Sequence, residues 1–307
     1  MKGRIKDFGW RGFLLKIPET WDLTREQIKK KNGFLQIEDE YGVRIEVNWE
    51  KIPFEKMPDV KNTMKKIIEN LKKKNPKLKA IGRVNVKVMN HDAILSRINL
   101  DEENCSDVLH WYCENSERLC TLFLYSTTKD YEKYHSFLSK TILPSLKCHG
   151  EKYFWNFYGI KLTLPSTFDL TYYKVTTGLS LARFYRRKDN AYILLAYNSM
   201  ANIILKEYYN NLEDWYDATL RKDVDKFFGK FGKIKREDAI VSGHKAIQLV
   251  SQRGIPLPFI KKTKRMRIFL WHCEKSNRLY AIITVFSEEK ASERYEAQNI
   301  IRNLKCH

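Results

Sequence analysis

Trp111-Tyr-Cys-Glu-Asn-Ser-Glu-Arg-Leu119 returns as Trp271-His-Cys-Glu-Lys-Ser-Asn-Arg-Leu279, and each copy is followed by a closing Leu-Lys-Cys-His, at 146–149 and at 304–307. The 307-residue chain therefore reads as a tandem duplication, and its fold problem is that of one domain of about 150 residues. The match runs outward from these anchors. Phe13-Leu-Leu-Lys-Ile-Pro-Glu-Thr-Trp-Asp-Leu-Thr24 resembles Ile160-Lys-Leu-Thr-Leu-Pro-Ser-Thr-Phe-Asp-Leu-Thr171, with Gly12 and Gly159 standing just before each segment. Val88-Met-Asn-His-Asp-Ala-Ile94 resembles Val241-Ser-Gly-His-Lys-Ala-Ile247. Asn90 faces Gly243 in this alignment, and both residue types tolerate positive φ, so a left-handed turn is expected there in each copy. Solenoid repeats have periods of about 20–50 residues, so this unit is a whole domain with its own core. The expected domains are residues 1–150 and 151–307.

Hydrophobic periodicity supplies the elements of one unit. Residues 13–17 read as a strand ended by Pro18, which cannot donate to a ladder. Residues 34–38 and 43–49 alternate around Asp39-Glu-Tyr-Gly42, a hairpin signal. Val60, Met64, Ile67, Ile68 and Leu71 recur at helical spacing, predicting a helix over 59–74 that Asn75-Pro76 stops. Strands follow near 83–89, 92–99, 107–114 and 118–126, then a helix over 130–142. The second copy repeats the order, with strands near 160–164, 179–186, 191–197, 245–252, 265–273 and 278–286 and helices near 212–228 and 288–303. Hairpins stand where a parallel sheet would need helical crossovers. The fold class is therefore α+β: a tandem duplication of a mostly antiparallel sheet domain with helices packed on it.

An opening strand that runs into Pro-x-x-Trp or Pro-x-x-Phe, here Ile17-Pro-Glu-Thr-Trp21 and Leu164-Pro-Ser-Thr-Phe168, with one helix mid-unit and one at its close, resembles the Mog1/PsbP-like family of α-β-α sandwiches. The resemblance covers each copy nearly end to end. The paired cysteines and the Leu-Lys-Cys-His ending are not part of that family pattern. Its members are mostly non-catalytic binding or assembly proteins, and the resemblance implies a similar role here.

Composition bounds the function classes. Apolar residues make up 43% of the chain, enough for two cores, and no apolar run is long enough to span a membrane. Met1-Lys-Gly-Arg-Ile-Lys-Asp lacks the apolar stretch of a signal peptide, so a cytoplasmic protein is expected. The formal charge is +19, and the second half is the more basic. Lys outweighs Arg and Glu is common, the mixture of a thermophile surface, so basicity alone does not establish a polyanionic partner. Two second-copy segments are candidates for one: Arg183, Arg186, Arg187 and Lys188 around a hairpin tip, and Lys261, Lys262, Lys264, Arg265 and Arg267 leading towards Trp271.

Cys113 and Cys148 correspond to Cys273 and Cys306, whereas Cys105 and Cys120 have no counterpart. Trp111 and Cys113 share a strand face, and Leu146 would anchor the following segment, so the two sulfurs of a copy could meet. They read as buried, reduced thiols or as one disulfide per copy; a bridge would contribute on the order of 3–4 kcal/mol in the loop-entropy account. A metal set of Cys113, Cys148 and His149, repeated at Cys273, Cys306 and His307, reads as weaker, because Cys-x-x-Cys spacing is absent and adjacent Cys-His residues rarely reach one ion. No metal and no cofactor is expected. His91 and His244 read as histidines that bond the backbone at their turns. Glu114 with Arg118, and Glu274 with Arg278, read as cross-strand ion pairs. Asp22, whose counterpart is Asp169, reads as a cap of the Thr-Arg-Glu segment that follows it.

No phosphate-loop, dinucleotide, metalloprotease or serine-hydrolase signature occurs, and no catalytic residue is assigned. The expected function is a non-catalytic tandem-domain binding or assembly protein with a protein partner. The alternative is nucleic-acid binding through the basic segments of the second copy.

Overall fold

Hairpin after hairpin builds this chain. A computed structural model describes residues 3–157, 159–176, 178–254, 263–287 and 291–307. Its contacts divide it into two compact units, Met1–Gly150 and Glu151–His307. The first unit opens with a two-stranded hairpin, β1 (Ile5–Trp10) and β2 (Phe13–Pro18). There follow β3 (Asp22–Ile28), β4 (Asn32–Asp39), β5 (Gly42–Lys51), α1 (Val60–Lys74), β6 (Lys79–Val88), β7 (His91–Asn99), β8 (Asn104–Cys113) and β9 (Arg118–Thr127). α2 (Tyr131–Phe137), a π-turn (Leu138–Ile142) and α3 (Leu143–Ser145) close the unit. The large sheet is antiparallel throughout, in the order β3-β4-β5-β9-β8-β7-β6.

The second unit repeats this plan. β10 (Lys152–Phe157) and β11 (Ile160–Pro165) form its opening hairpin, followed by β12 (Asp169–Lys174), β13 (Leu179–Arg186) and β14 (Ala191–Ser199). α4 (Ala201–Ile203), a π-turn (Ile204–Tyr208), α5 (Leu212–Thr219) and α6 (Arg221–Phe228) stand where the first unit has one helix. β15 (Lys235–Val241), β16 (His244–Gly254), β17 (Thr263–Cys273), β18 (Arg278–Ser287) and α7 (Ala291–Arg302) complete it. The sheet order, β12-β13-β14-β18-β17-β16-β15, is that of the first unit position by position, and it too is antiparallel. The two sheets form a tandem α+β pair.

Alternation along the central strands gives each sheet two faces. On one face of the first sheet lie Leu109, Trp111, Leu122 and Cys120, all fully buried, beneath the β1–β2 hairpin and the closing helix. Phe13 of that hairpin meets Trp49 at a ring distance of 5.5 Å, and Trp21 stacks on Tyr134 of α2 at 6.3 Å. The other face carries α1, whose Met64 and Ile68 are buried against Ile94, Ile98, Val108 and Phe123. The Asp59 carboxylate caps α1 by accepting from the amides of Lys61 (2.7 Å) and Asn62 (3.2 Å), and Lys72, Lys73 and Lys74 complement the negative end of its dipole. Asn211 caps α5 in the same way.

Some local readings change. β1, β3, β10, β12 and β15 were not expected as strands. Asp22 opens β3 and pairs with Lys6 at 2.6 Å; it caps no helix, because the segment after it is extended and laddered to β4. The left-handed positions of the two-residue turns fall at Met89 (φ 54°) in the first unit and at Ser242 (52°) and Gly243 (81°) in the second. The expected helix over 288–303 is described from Ala291 onward.

Candidate functional site

Two clusters, one per unit, bring sulfur and imidazole together. In the first, His91 opens β7 and Cys113 closes β8, and the ladder that pairs Ala93 with Trp111 sets these two residues opposite each other. The segment after α3 is tied to β2 by paired main-chain bonds between Leu14 and Lys147 (2.9 and 2.7 Å), which deliver Cys148 and His149 to the same corner. His149 Nδ1 lies 3.3 Å from Cys113 Sγ, 3.5 Å from Cys148 Sγ and 3.3 Å from His91 Nε2. In the second cluster the ladder pairing Ala246 with Trp271 places His244 opposite Cys273, and main-chain bonds between Lys161 and Lys305 (2.7 and 3.0 Å) deliver Cys306 and His307. His307 Nδ1 lies 3.5 Å from each sulfur. In both sets the four donor atoms lie within 4.8 Å of one another.

His91 is thus 6% exposed and faces His149, with ring centres 5.2 Å apart; His244 faces His307 at 5.3 Å. Their expected role as backbone-bonding turn residues gives way to this one, because the first residue of β7 or β16 turns its side chain towards the sulfurs. His244 Nε2 is buried and has no hydrogen-bond partner. All six cysteines are buried, free thiols. The neighbouring Cys148 thiol lowers the pKa of Cys113, and Cys113 together with burial raises that of Cys148. Burial raises Cys306 and lowers His307.

Arg118 does not make the expected ion pair with Glu114. It is 6% exposed, stacks 4.5 Å over Phe13, and donates to the carbonyls of Arg11 and Cys148 and to Ser116 Oγ. It therefore fixes the backbone from which Cys148 projects. Cys120 is fully buried beside it, and burial pushes its thiol up to about 12.

A second feature belongs to the first unit alone among the described residues. Under α1 the sheet carries the cross-strand row Phe34, Asn48, Thr121, His110, Ile94. The second unit has Leu181, Ala196, Ala281, Leu270, Ile247 in the same five places. In the second unit, four of the row's residues, Leu181, Ala196, Leu270 and Ala281, form one buried core with Trp215, Tyr216 and Leu220. In the first the row lies under an open cleft of about 520 Å³ whose walls include Asn48, Trp49, Glu50, Lys66 and Asn70. Gly33 also lines it, and a Cβ there would fall 2.5 Å from the Trp49 ring. His110, fully buried at its base, is bonded at Nδ1 to Thr121 Oγ1 and at Nε2 to Thr63 Oγ1, both at 2.9 Å. The Thr63 hydroxyl donates to the Asp59 carbonyl (2.9 Å), so the neutral Nε2–H tautomer satisfies the set. Burial pushes His110 down to about 4. Sequence reading missed this row because no short motif joins residues from three strands and a helix.

The described residues of the two basic segments differ in their surroundings. Arg186 is 2% exposed and paired at 2.6 Å with both Asp189 and Glu296. Arg183 lies 4.5 Å over Phe227 and donates to Thr171. Arg187 and Lys188 are exposed at the hairpin tip. Lys264 donates to the carbonyl of Asn190, and Arg265 and Arg267 are half-buried strand residues. Lys261 and Lys262 lie outside the described residues. Among the described residues, no helix is long and apolar enough to cross a membrane.

No family model matches the chain, and no curated protein does. Solved structures do. Cyanobacterial PsbP (CyanoP) from Synechocystis is 9% identical over 48% of this chain and 95% of its own, with a TM-score of 0.37. The Ran-binding protein Mog1p of Saccharomyces cerevisiae is 13% identical over 49% of this chain and 84% of its own, with a TM-score of 0.29. Each covers about half of this chain. The immunity protein TplEi of the Pseudomonas aeruginosa T6SS is 8% identical over 98% of this chain and 96% of its own, with a TM-score of 0.34.

Proposed function

We propose that the protein is a non-catalytic binding protein whose first unit takes an extended segment of a protein partner in the cleft under α1. The observation that carries this reading is the exchange of a single cross-sheet row, polar over an open cleft in one unit and apolar within a filled core in the other. The volume of about 520 Å³ falls within the range of ligand sites. Amide side chains at Asn48 and Asn70 can bond a peptide backbone, Lys66 and Glu50 can pair with its charges, and Phe34 offers a ring face to its apolar groups. Binding suits His110 better than catalysis. Both its nitrogens are engaged by hydroxyls, and a group held down at about 4 is a poor base near neutral pH. A reducing, cytoplasmic setting suits chains that carry buried free thiols.

The test is site-specific photo-crosslinking in native cells from position 70, on the cleft wall, and from Lys72, which is exposed on the same helix. A discrete partner is expected from position 70 and not from position 72. It should be lost in the triple variant N48A/H110L/T121A, which copies the second unit at the three polar places of the row. Capture that survives the triple variant, or that is the same from both positions, contradicts the reading.

A further inference from the structure

We propose that each unit holds one zinc ion, bound in the first by His91 Nε2, Cys113 Sγ, Cys148 Sγ and His149 Nδ1, and in the second by His244, Cys273, Cys306 and His307. The argument is first one of distance. Zinc takes sulfur at about 2.3 Å and imidazole nitrogen at about 2.0–2.1 Å in a tetrahedron. Two such nitrogens then stand about 3.3 Å apart, and a nitrogen and a sulfur about 3.6 Å apart. The first cluster has 3.3 Å between its imidazole nitrogens and 3.3 and 3.5 Å between His149 Nδ1 and the sulfurs. The second has 3.5 Å for both nitrogen–sulfur pairs. A hydrophobic core of thiols has no reason to hold two imidazoles at these separations, and a disulfide would leave both rings without a task.

The second argument is duplication. Register aligns Cys120 with Tyr280, so a close neighbour of the clusters differs between the units. All four donors are nevertheless kept in both. The third is the buried His244 Nε2, which has no partner in a cluster that otherwise offers it only sulfurs and a second imidazole. A metal ion is the partner that would satisfy it.

The objection that adjacent Cys-His residues rarely reach one ion is met by the backbone. The bridge at Lys147 or Lys305 holds the strand-like approach, the cysteine points into the core, and the following histidine folds over it. Arg118 holds the Cys148 carbonyl, and the Tyr280 hydroxyl lies 3.4 Å from that of Cys306, so the donors are set before any metal arrives. With four protein donors and two thiolates to balance the ion's charge, the site has no open position, which is the form of a structural rather than a catalytic zinc.

The experiment is metal analysis of the intact chain, purified without chelator, by elemental mass spectrometry together with native mass. Two zinc ions per chain are expected. One should remain in C113S/C148S, one in C273S/C306S, and two in C105S/C120S, whose cysteines lie outside the clusters. Because a ligand variant can fail to fold, the metal-stripped wild-type chain is also titrated with Co²⁺ under reducing conditions. Two equivalents with the intense visible bands of tetrahedral cobalt and thiolate-to-metal charge transfer are expected, bleached by added Zn²⁺. A metal-free chain that binds Co²⁺ weakly and without those bands overturns the proposal. So do thiols that resist alkylation until reductant is added, which would mean one disulfide per unit.

Discussion

The two units share a sheet order, a hairpin cover and a four-donor cluster, and they part company on the face under the mid-unit helices. There the first unit packs one helix, buries Met64 and Ile68 from it, and leaves a polar row beside open space. The second replaces that helix with α4, a π-turn, α5 and α6, and buries Ala201, Trp215, Tyr216, Leu220 and Val224 over the same row. The lesson is that a duplicated fold keeps its covalent-scale geometry where several strand ends meet and can exchange packing for access on a face covered by one movable element. Electrostatics diverge similarly. Arg186 closes β13 with Asp189 and Glu296 and lies 4.5 Å over Phe168, whereas β4 closes with Asp39 paired to Arg44, which lies 5.3 Å over Tyr134.

The largest effect should come from undoing the filled face. Trp215 is fully buried, and Trp215→Ala should destabilise the second unit by about 4 kcal/mol, the usual cost of an aromatic truncation with its residual cavity. Hydrogen exchange at β17 and β18 amides of the full chain reads this locally, while β8 and β9 amides should not move. A change under about 1 kcal/mol would mean the face is looser than its burial implies and would dissolve the contrast between units. Next comes Arg186→Met, expected to cost about 3 kcal/mol by leaving Asp189 and Glu296 without their cation. Urea denaturation checks it. Affinity for single-stranded nucleic acid should stay at the wild-type level, since the guanidinium is already engaged; a large drop would restore it as a binding residue.

The third prediction separates the units by pH. His110 takes a proton near 4 when folded and near 6.5 when unfolded, so acid favours the unfolded chain. Its contribution is complete above about pH 6.5, is lost as pH falls towards 4, and amounts to about 2 kcal/mol of loss by pH 5. Leu270 holds the matching place in the second unit and cannot titrate. His110→Leu should therefore flatten the difference in stability between pH 7 and pH 5 by about 2 kcal/mol, measured as urea midpoints of wild type and variant at both values. Parallel pH curves for the two proteins would show that the imidazole is not desolvated.

Much of this was legible because its physics is local in sequence. Period-two alternation gave β4, β5 and β7–β9, helical spacing with Asn75-Pro76 gave α1, and the repeat gave their counterparts. β3 and β12 escaped because Asp22-Leu-Thr-Arg-Glu-Gln-Ile and Asp169-Leu-Thr-Tyr-Tyr-Lys are edge strands with one buried residue each, and an edge needs no apolar alternation. Three donors of each cluster were visible as repeated Cys and Cys-His. The fourth was not, since only the β7–β8 and β16–β17 registers carry His91 and His244 to the sulfurs, and a register is a property of the sheet. The paired Leu14–Lys147 bond that aims Cys148 is equally non-local.

The smallest effect is the most specific to the polar row. Thr121→Ala copies Ala281 and removes the hydroxyl 2.9 Å from His110 Nδ1, leaving a buried imidazole nitrogen unsatisfied, at a cost of about 1–2 kcal/mol. In the His110→Leu background the same change has no such nitrogen to strand and turns the pair into the Leu–Ala of the second unit. The double-mutant cycle should therefore give a coupling of about 1 kcal/mol at pH 7, with the second substitution nearly free once the first is made. That coupling should shrink at pH 4, where protonation of His110 already disrupts the row. Strictly additive costs at both pH values would mean that Thr121 and His110 merely lie side by side, and that the row is an unfilled version of the apolar one rather than a polar assembly held together by its own bonds.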